Sequence, residues 1–303
     1  MSVLILKRGA AGDVVRTTSL LRQFDDAVTW VTAAGNIELL QDLDRNMSCV
    51  SWEDRQIVAG TEYNLVINLE DDRETSSLLK QVKTKQLFGA YLDSQNALAY
   101  TADSRRWFDL SLISSYGREQ ADRLKLQNRY TYQELIFDGL GFQFSGQKYV
   151  LPPPARTDLA GDVAIAPVAG PVWPMKGWAY YNELKGRLEA KGLRVNELPR
   201  RSSLLEHLGD VKNHRCLVGG DSLPMHMALG LDVRCVTLFN CTSPWEIYDY
   251  GIQKKIVSPL LEEFFYRRGV ESRATTAITV DEVFEAVMSQ VNGTMSFKTA
   301  NCG

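Results

Sequence analysis

Short apolar runs alternate with helix-length amphipathic stretches along most of this chain. Val3–Leu6 is continuously apolar and leads through the small-residue loop Gly9-Ala10-Ala11-Gly12 into a helical pattern over Val14–Phe24. The spacing then predicts a strand at Val28–Thr32, a short helix at Ile37–Leu43 and a strand at Tyr63–Leu69. That last run has almost no polar break, as expected of a central parallel strand covered on both faces. A helix over Glu74–Val82 and a strand over Lys85–Ala90 follow. A polar stretch from Asp93 to Arg129 interrupts the alternation, and a helix at Tyr132–Leu140 closes the first half.

Leu151-Pro152-Pro153-Pro154 punctuates the pattern, because three prolines hold an extended path that neither a helix nor a central strand tolerates. Beyond it the alternation restarts: strand Val163–Pro167, helix Tyr180–Lys191, strand Leu193–Leu198, short helix Leu204–Leu208 and strand Cys216–Val218. Helix Pro224–Leu229, strand Arg234–Phe239, a short strand at Ile256–Ser258 and an amphipathic helix over Val280–Val291 complete it. Strand and helix in alternation on both sides of a proline linker imply an α/β protein of two doubly wound domains. The boundaries read as 1–150, a linker at 151–162, and 163–303, with the terminal helix expected to pack back on the first domain.

A length of 303 residues suffices for two cores of ordinary size. A formal net charge of −3 gives no general reason to expect nucleic acid. The one Lys-Arg pair follows the first apolar run, the wrong order for a secretory signal, and no apolar segment approaches membrane-spanning length. A cytoplasmic location is therefore expected. The five cysteines Cys49, Cys216, Cys235, Cys241 and Cys302 are scattered without a CxxC pair, so neither a metal cluster nor a disulfide framework is expected.

Candidate chemistry lies at two strand-to-helix turns. In the first, Gly12-Asp13 opens a helix whose next turn carries Arg16, Thr17 and Thr18. A cleft-facing carboxylate there can take a proton from a docking hydroxyl; it can equally cap the helix. The loop has neither GxGxxG nor the lysine and hydroxyl of a P-loop. In the second, Gly219-Gly220-Asp221-Ser222-Leu223-Pro224-Met225-His226 places helix-start N–H groups where a diphosphate can sit. Asp221 and Ser222 are alternatively caps, and His226 is alternatively a satisfied core histidine. Lys176, in Trp173-Pro174-Met175-Lys176-Gly177-Trp178, offers a positive charge to a departing diphosphate, or is a surface lysine between packed tryptophans. Thr242 and Ser243 end another strand and would face the same cleft.

These residues together resemble the family-9 glycosyltransferases, the ADP-heptose:lipopolysaccharide heptosyltransferases and their relatives. The resemblance runs over roughly residues 2–290 and rests on four motifs in register. These are Gly12-Asp13 with Val14-Val15-Arg16-Thr17-Thr18; Lys176 with Trp178; Asp221, Ser222 and His226; and Leu238, Phe239, Thr242, Ser243, Pro244, Tyr250 and Gly251. It implies the GT-B arrangement, two Rossmann-like domains facing a central cleft, with acceptor on the first and nucleotide sugar on the second. It further implies transfer with inversion and without a bound metal, Asp13 as general base, and ADP-heptose or a related nucleotide sugar as co-substrate rather than a resident cofactor. Lys176, Trp178, the backbone turn of Asp221, Ser222, Leu223, Pro224 and Met225 through the N–H groups it offers, then His226, Thr242 and Ser243 would hold the donor. Gly12, Arg16, Thr17, Arg105 and Arg106 would meet the acceptor. Leu223 stands where the family has glycine, Gly177 and Ala179 replace bulkier residues around Trp178, and Asn240-Cys241 replaces Gly-Pro.

Arg105, Arg106, Arg118, Arg123, Lys125 and Arg129, with Trp107 among them, concentrate positive charge in an acidic chain. This is either a patch for an anionic lipopolysaccharide-core acceptor at the inner membrane face or a solvated loop. Two further functions stay open: a nucleotide-sugar epimerase or hydrolase on the same fold, and a divergent, non-catalytic nucleotide-sugar-binding protein with Leu223 as its mark.

Overall fold

The computed structural model describes residues 2–43, 46–110, 116–170 and 172–293. Cys302, the end of the second expected domain and residues 111–115 of the polar stretch lie outside the described residues. Among the described residues eleven strands run in chain order: β1 Ser2–Leu6, β2 Ala27–Thr32, β3 Met47–Ser51, β4 Glu62–Asn68, β5 Lys83–Leu92, β6 Leu98–Tyr100, β7 Gly161–Ala166, β8 Val195–Glu197, β9 His214–Gly220, β10 Arg234–Phe239 and β11 Gln253–Val257. The first-half helices are α1 Ala11–Thr17, α2 Arg73–Leu78, α3 Arg105–Phe108, α4 Arg118–Gln127 and α5 Tyr132–Gly139. The second half carries α6 Tyr181–Glu189, α7 Leu204–Lys212, α8 Leu223–Gly230, α9 Leu261–Phe264, α10 Ser272–Thr276 and α11 Val280–Asn292.

The strands form two sheets, ordered β3-β2-β1-β4-β5-β6 in the front lobe and β11-β10-β9-β7-β8 in the rear lobe. All pairings are parallel except β5 with β6. In each sheet the order reverses at one place, between β1 and β4 and between β7 and β9. Such switch points leave a crevice at the strands' carboxyl ends. Val3, Leu4, Ile5 and Leu6 of β1 are fully buried, as the unbroken apolar run requires.

The first predicted helix differs from its pattern. It starts early at Ala11, stops at Thr17 and continues as a tighter turn over Thr18–Gln23. The Thr17, Thr18 and Ser19 hydroxyls donate back to the carbonyls of Asp13, Val15 and Arg16 and compete with the regular ladder. The polar stretch hides β6, α3 and α4. In α4 only Ala121 and Lys125 are buried, so it lacks the apolar stripe that would announce a helix. The terminal helix is a correction: α11 does not return to the front lobe. Its Val283, Phe284, Val287 and Val291 complete the rear-lobe core with Val218, Val236 and Ile256, because the β9–β10–β11 face needs a cover.

The two lobes touch directly along one side of the cleft. Val15 and Leu39 of the front lobe join a core with Met225, Ala228 and Leu229 of α8. Glu38 accepts bonds from the Ser203 hydroxyl (2.9 Å) and the Leu204 N–H (2.6 Å), supplying an acidic partner to the start of α7. The proline segment is held at both ends: the Val150 N–H donates to the Thr18 hydroxyl, and the Ala155 N–H to the Leu205 carbonyl.

Gly89, inside β5, has φ +120°, and a side-chain carbon there would lie 1.9 Å from the Asn68 carbonyl oxygen. Gly89→Ala is therefore expected to destabilise the protein by at least ~2 kcal/mol. Urea unfolding checks this, and an unchanged midpoint would contradict the close approach of β4 and β5.

Candidate functional site

Each switch point delivers charged side chains to the cleft between the lobes. After β1 comes the loop that opens α1; after β4 comes Glu70, whose Oε1 accepts from Lys7 Nζ (2.9 Å), the Arg8 N–H (2.7 Å) and the Gly9 N–H (3.3 Å). These three bonds set the loop that presents Asp13. The N-cap of α1 is Ala10, with no side-chain cap, so Asp13 lies on the first turn and does not cap the helix. Its Oδ1 is 2.7 Å from Arg16 Nη2, its Oδ2 is 4.0 Å from Lys7 Nζ, and about a third of its side chain is exposed. Burial alone would raise its pKa, but Arg16, Lys7, His226 and Lys176 outweigh that and hold it below the usual carboxylate range. Arg16 lies over the Tyr132 ring at 3.8 Å, which fixes the guanidinium.

The rear lobe answers from β7 and β9. Lys176 Nζ donates to the Asp221 carbonyl (2.7 Å) and pairs with its Oδ2 (3.1 Å). Asn240 donates to the Gly177 carbonyl (2.7 Å) and so holds the loop carrying Lys176. Burial pushes the Asp221 pKa up, yet Lys176, His226 and Arg16 bring it down to about 2. Ser222 occupies the N-cap position of α8, but its hydroxyl turns back to the Gly220 carbonyl, so it does not close the helix start. His226 is buried, with Nδ1 3.5 Å from the Tyr149 hydroxyl and Nε2 4.0 Å from Asp221 Oδ1. Burial and the Arg16 charge drop its pKa to about 4, against the opposing pull of Asp221 and Asp13.

The helix starts of α1 and α8 meet at Gly12, where a side-chain carbon would stand 2.8 Å from His226 Cδ2. A cavity of about 470 Å³ opens beside this contact, with Gly12, Asp13 and Arg16 on the front wall and Lys176, Asp221, Ser222, Leu223, His226 and Ser243 on the rear wall. A second cavity of about 200 Å³ shares Asp13, Arg16, Lys125 and Glu246 and runs into the front lobe past Lys7, Glu70 and Trp107. Cations, helix N–H groups and a partly exposed carboxylate thus converge on one volume able to hold an anionic ligand next to a proton acceptor.

Not every predicted residue reaches it. Trp178 is a correction: its ring is buried in the rear-lobe core and its N–H donates to the Ile278 carbonyl (2.9 Å). Met225 is core, and Pro224 lines neither cavity. Thr242 is buried outside the lining, whereas Ser243 lies in it. Thr17 is buried beneath Asp13, donating to its carbonyl and meeting the Tyr132 hydroxyl. Arg105 and Arg106 are also corrections. Both are exposed and line neither cavity, although Trp107 and Phe108 of the same α3 line the second, and Arg106 pairs with Asp138 at 2.7 Å. Arg118 pairs with Asp122, Arg123 with Glu119, and Arg129 lies over Trp245, so the basic cluster is largely spent on local partners.

Lys7, Glu70, Glu246 and Tyr266 were not legible as site residues. Glu70 follows a strand end, which is the one signal that could have marked it. Among the described residues no group of three or more His, Cys, Asp or Glu side chains could hold a metal ion, and no helix is long and apolar enough to cross a membrane.

Two Rossmann-like lobes with a charged cleft at both switch points define a GT-B fold. Solved structures share it along nearly the whole chain. E. coli heptosyltransferase WaaC with ADP superposes with TM-score 0.62 at 15% identity, covering 96% of this chain and 100% of that one. A glycosyl transferase family 9 structure from Veillonella parvula gives 0.64 at 15%, covering 96% and 97%. E. coli ADP-heptose lps heptosyltransferase II gives 0.61 at 14%, covering 96% and 98%. At such identities the likeness is one of fold. No protein-family model matches the chain, and no curated protein does.

The folded pKa of His226 lies below its unfolded value of 6.5, so its stability contribution is full above that pH and drains as pH falls toward about 4. Between pH 7 and pH 5 this site accounts for about 2 kcal/mol of lost stability. The His226→Gln variant is expected to lose that much less than the parent over the same interval. Urea midpoints at both pH values decide it, and equal losses would show that the imidazole is not held neutral.

Proposed function

We propose that this chain is an inverting glycosyltransferase that moves a sugar, heptose from ADP-heptose, to a hydroxyl of a glycan or lipopolysaccharide-type acceptor, with Asp13 as general base. The observation that carries this reading is the Asp13 carboxylate, kept charged by Arg16 and Lys7 and set across one cavity from Lys176 and the start of α8. The WaaC structures named for ADP and for ADP-2-deoxy-2-fluoro heptose add support, since they share this fold.

In the reaction, Asp13 takes the proton of the acceptor hydroxyl as its oxygen attacks the anomeric carbon. The bond from that carbon to the diphosphate oxygen breaks, and the configuration inverts. Charge builds on the departing nucleoside diphosphate beside Lys176 and the N-terminal end of α8. Neutral His226 can donate one hydrogen bond to a phosphate oxygen without adding charge. An epimerase or hydrolase would call for further acid–base groups, and His207 and His214 line neither cavity. Leu223, on the cavity wall, favours a second reading as a divergent binding protein.

Calorimetry with ADP and turnover with ADP-heptose separate these. Asp13→Ala is expected to lower kcat ~10²–10⁴-fold while ADP affinity changes only severalfold. Lys176→Met is expected to weaken ADP by about tenfold or more, the size of one charge-assisted contact. Undiminished turnover after removal of Asp13 would end the proposal, and tight ADP binding without turnover on any acceptor would favour the binding protein.

A further inference from the structure

Glu246 is a rear-lobe residue that reaches into the front lobe. Its backbone carbonyl accepts the Tyr132 N–H (3.0 Å) at the start of α5, which pins the segment across the lobe boundary. Its side chain is 11% exposed and stands 3.8 Å from Lys125 Nζ through Oε1 and 4.0 Å from Arg16 Nη1 through Oε2. Both separations are too long for hydrogen bonds. Oε1 is buried and has no hydrogen-bond partner among the described residues. A buried carboxylate oxygen in that state is costly unless a donor arrives.

The gap is close to the size of that donor. Two hydrogen bonds of about 2.8 Å meeting at the near-tetrahedral angle of one hydroxyl oxygen span about 4.5 Å, so opening the pair by less than about 1 Å lets a hydroxyl accept from Lys125 and donate to Glu246 at once. The second cavity lies on the side of Asp13 away from Lys176 and Asp221, which line only the first. Lys125 and Arg16 both belong to the front lobe, and Trp107 forms another wall of the same space.

We propose that Glu246 and Lys125 form a hydroxyl-binding pair that selects the acceptor, and that the acceptor unit bound there is an uncharged, hydroxyl-bearing sugar. This rests on the glycosyl-transfer reading above and narrows its acceptor. A phosphate or carboxylate placed in this gap would face the Glu246 carboxylate at close range and be disfavoured. Glu246 does not touch the reacting atoms; it positions the acceptor whose other hydroxyl meets Asp13.

The test uses the intact protein saturated with ADP and a panel of neutral methyl hexosides and heptosides beside their monophosphate esters. Binding is read by calorimetry. In the parent protein a neutral glycoside is expected to bind at least about tenfold tighter than its ester. In Glu246→Gln, neutral binding is expected to fall about tenfold, the size of a hydrogen bond to a charged group, and the preference over the ester to shrink to severalfold or less. Lys125→Gln should weaken the same glycoside, and the double variant should lose less than the sum, as coupled partners do. Far-UV circular dichroism and urea midpoints that match the parent report that the variants fold. Esters binding as well as neutral glycosides in the parent, no neutral glycoside binding at all, or unchanged selectivity in Glu246→Gln would each overturn the pair. Failure of ADP to bind the parent would instead remove the glycosyl-transfer reading beneath it.

Discussion

The site depends on how closely α1 and α8 approach. Gly12 leaves room for the His226 ring edge, and a single added methyl would press on it at 2.8 Å. Because that contact is short, the first turns of the two helices face each other, and each brings a carboxylate with it. Asp13 stands on one wall and Asp221 on the other, each beside its own cation. A wider contact would separate the proton acceptor from the anion-binding turn.

Bringing so many charges together in a partly buried space is costly unless each is compensated. The cleft meets this with local pairs: Lys7 with Glu70, Asp13 with Arg16, and Asp221 with Lys176. The members do different work. Glu70 commits Oε1 to Lys7 and two loop N–H groups, so it shapes the β1–α1 turn. Asp221 orders Lys176. Asp13 keeps one oxygen only loosely engaged and a third of its side chain open, which leaves it able to meet a ligand. His226, surrounded by these pairs, stays neutral because burial and Arg16 oppose its protonation more than the carboxylates favour it.

The two switch points explain why chemistry from distant parts of the chain collects here. Strand reversal in each sheet opens a crevice at the ends of β1 and β4 and of β7 and β9, and Lys7, Asp13, Glu70, Lys176 and Asp221 all follow one of those four strands. The lobe contact through Glu38, Val15 and α8 then turns the crevices toward each other.

Much of this was legible in the chain. Apolar runs such as Val3–Leu6 and Tyr63–Leu69 announce buried parallel strands, since only strands covered on both faces avoid alternation. Small residues before Asp13 and the Gly-Gly-Asp-Ser turn mark the helix starts where ligands can approach backbone. Other features were decided by tertiary structure alone. Trp178 read as a donor contact through the family resemblance, yet the rear core takes its ring, because the sheet face it adjoins must be covered. Arg105 and Arg106 suggested an anion patch, but they take the exposed side of α3, whose Trp107 and Phe108 turn to the second cavity, and Asp138 neutralises one of them. The pairing of Glu246 with Arg16 and Lys125 has no local signature, since its partners lie more than a hundred residues away and meet it only where the lobes close. Periodicity along a chain encodes which face of each element is buried; which side chains meet across a cleft depends on how whole sheets are oriented, and no local pattern carries that.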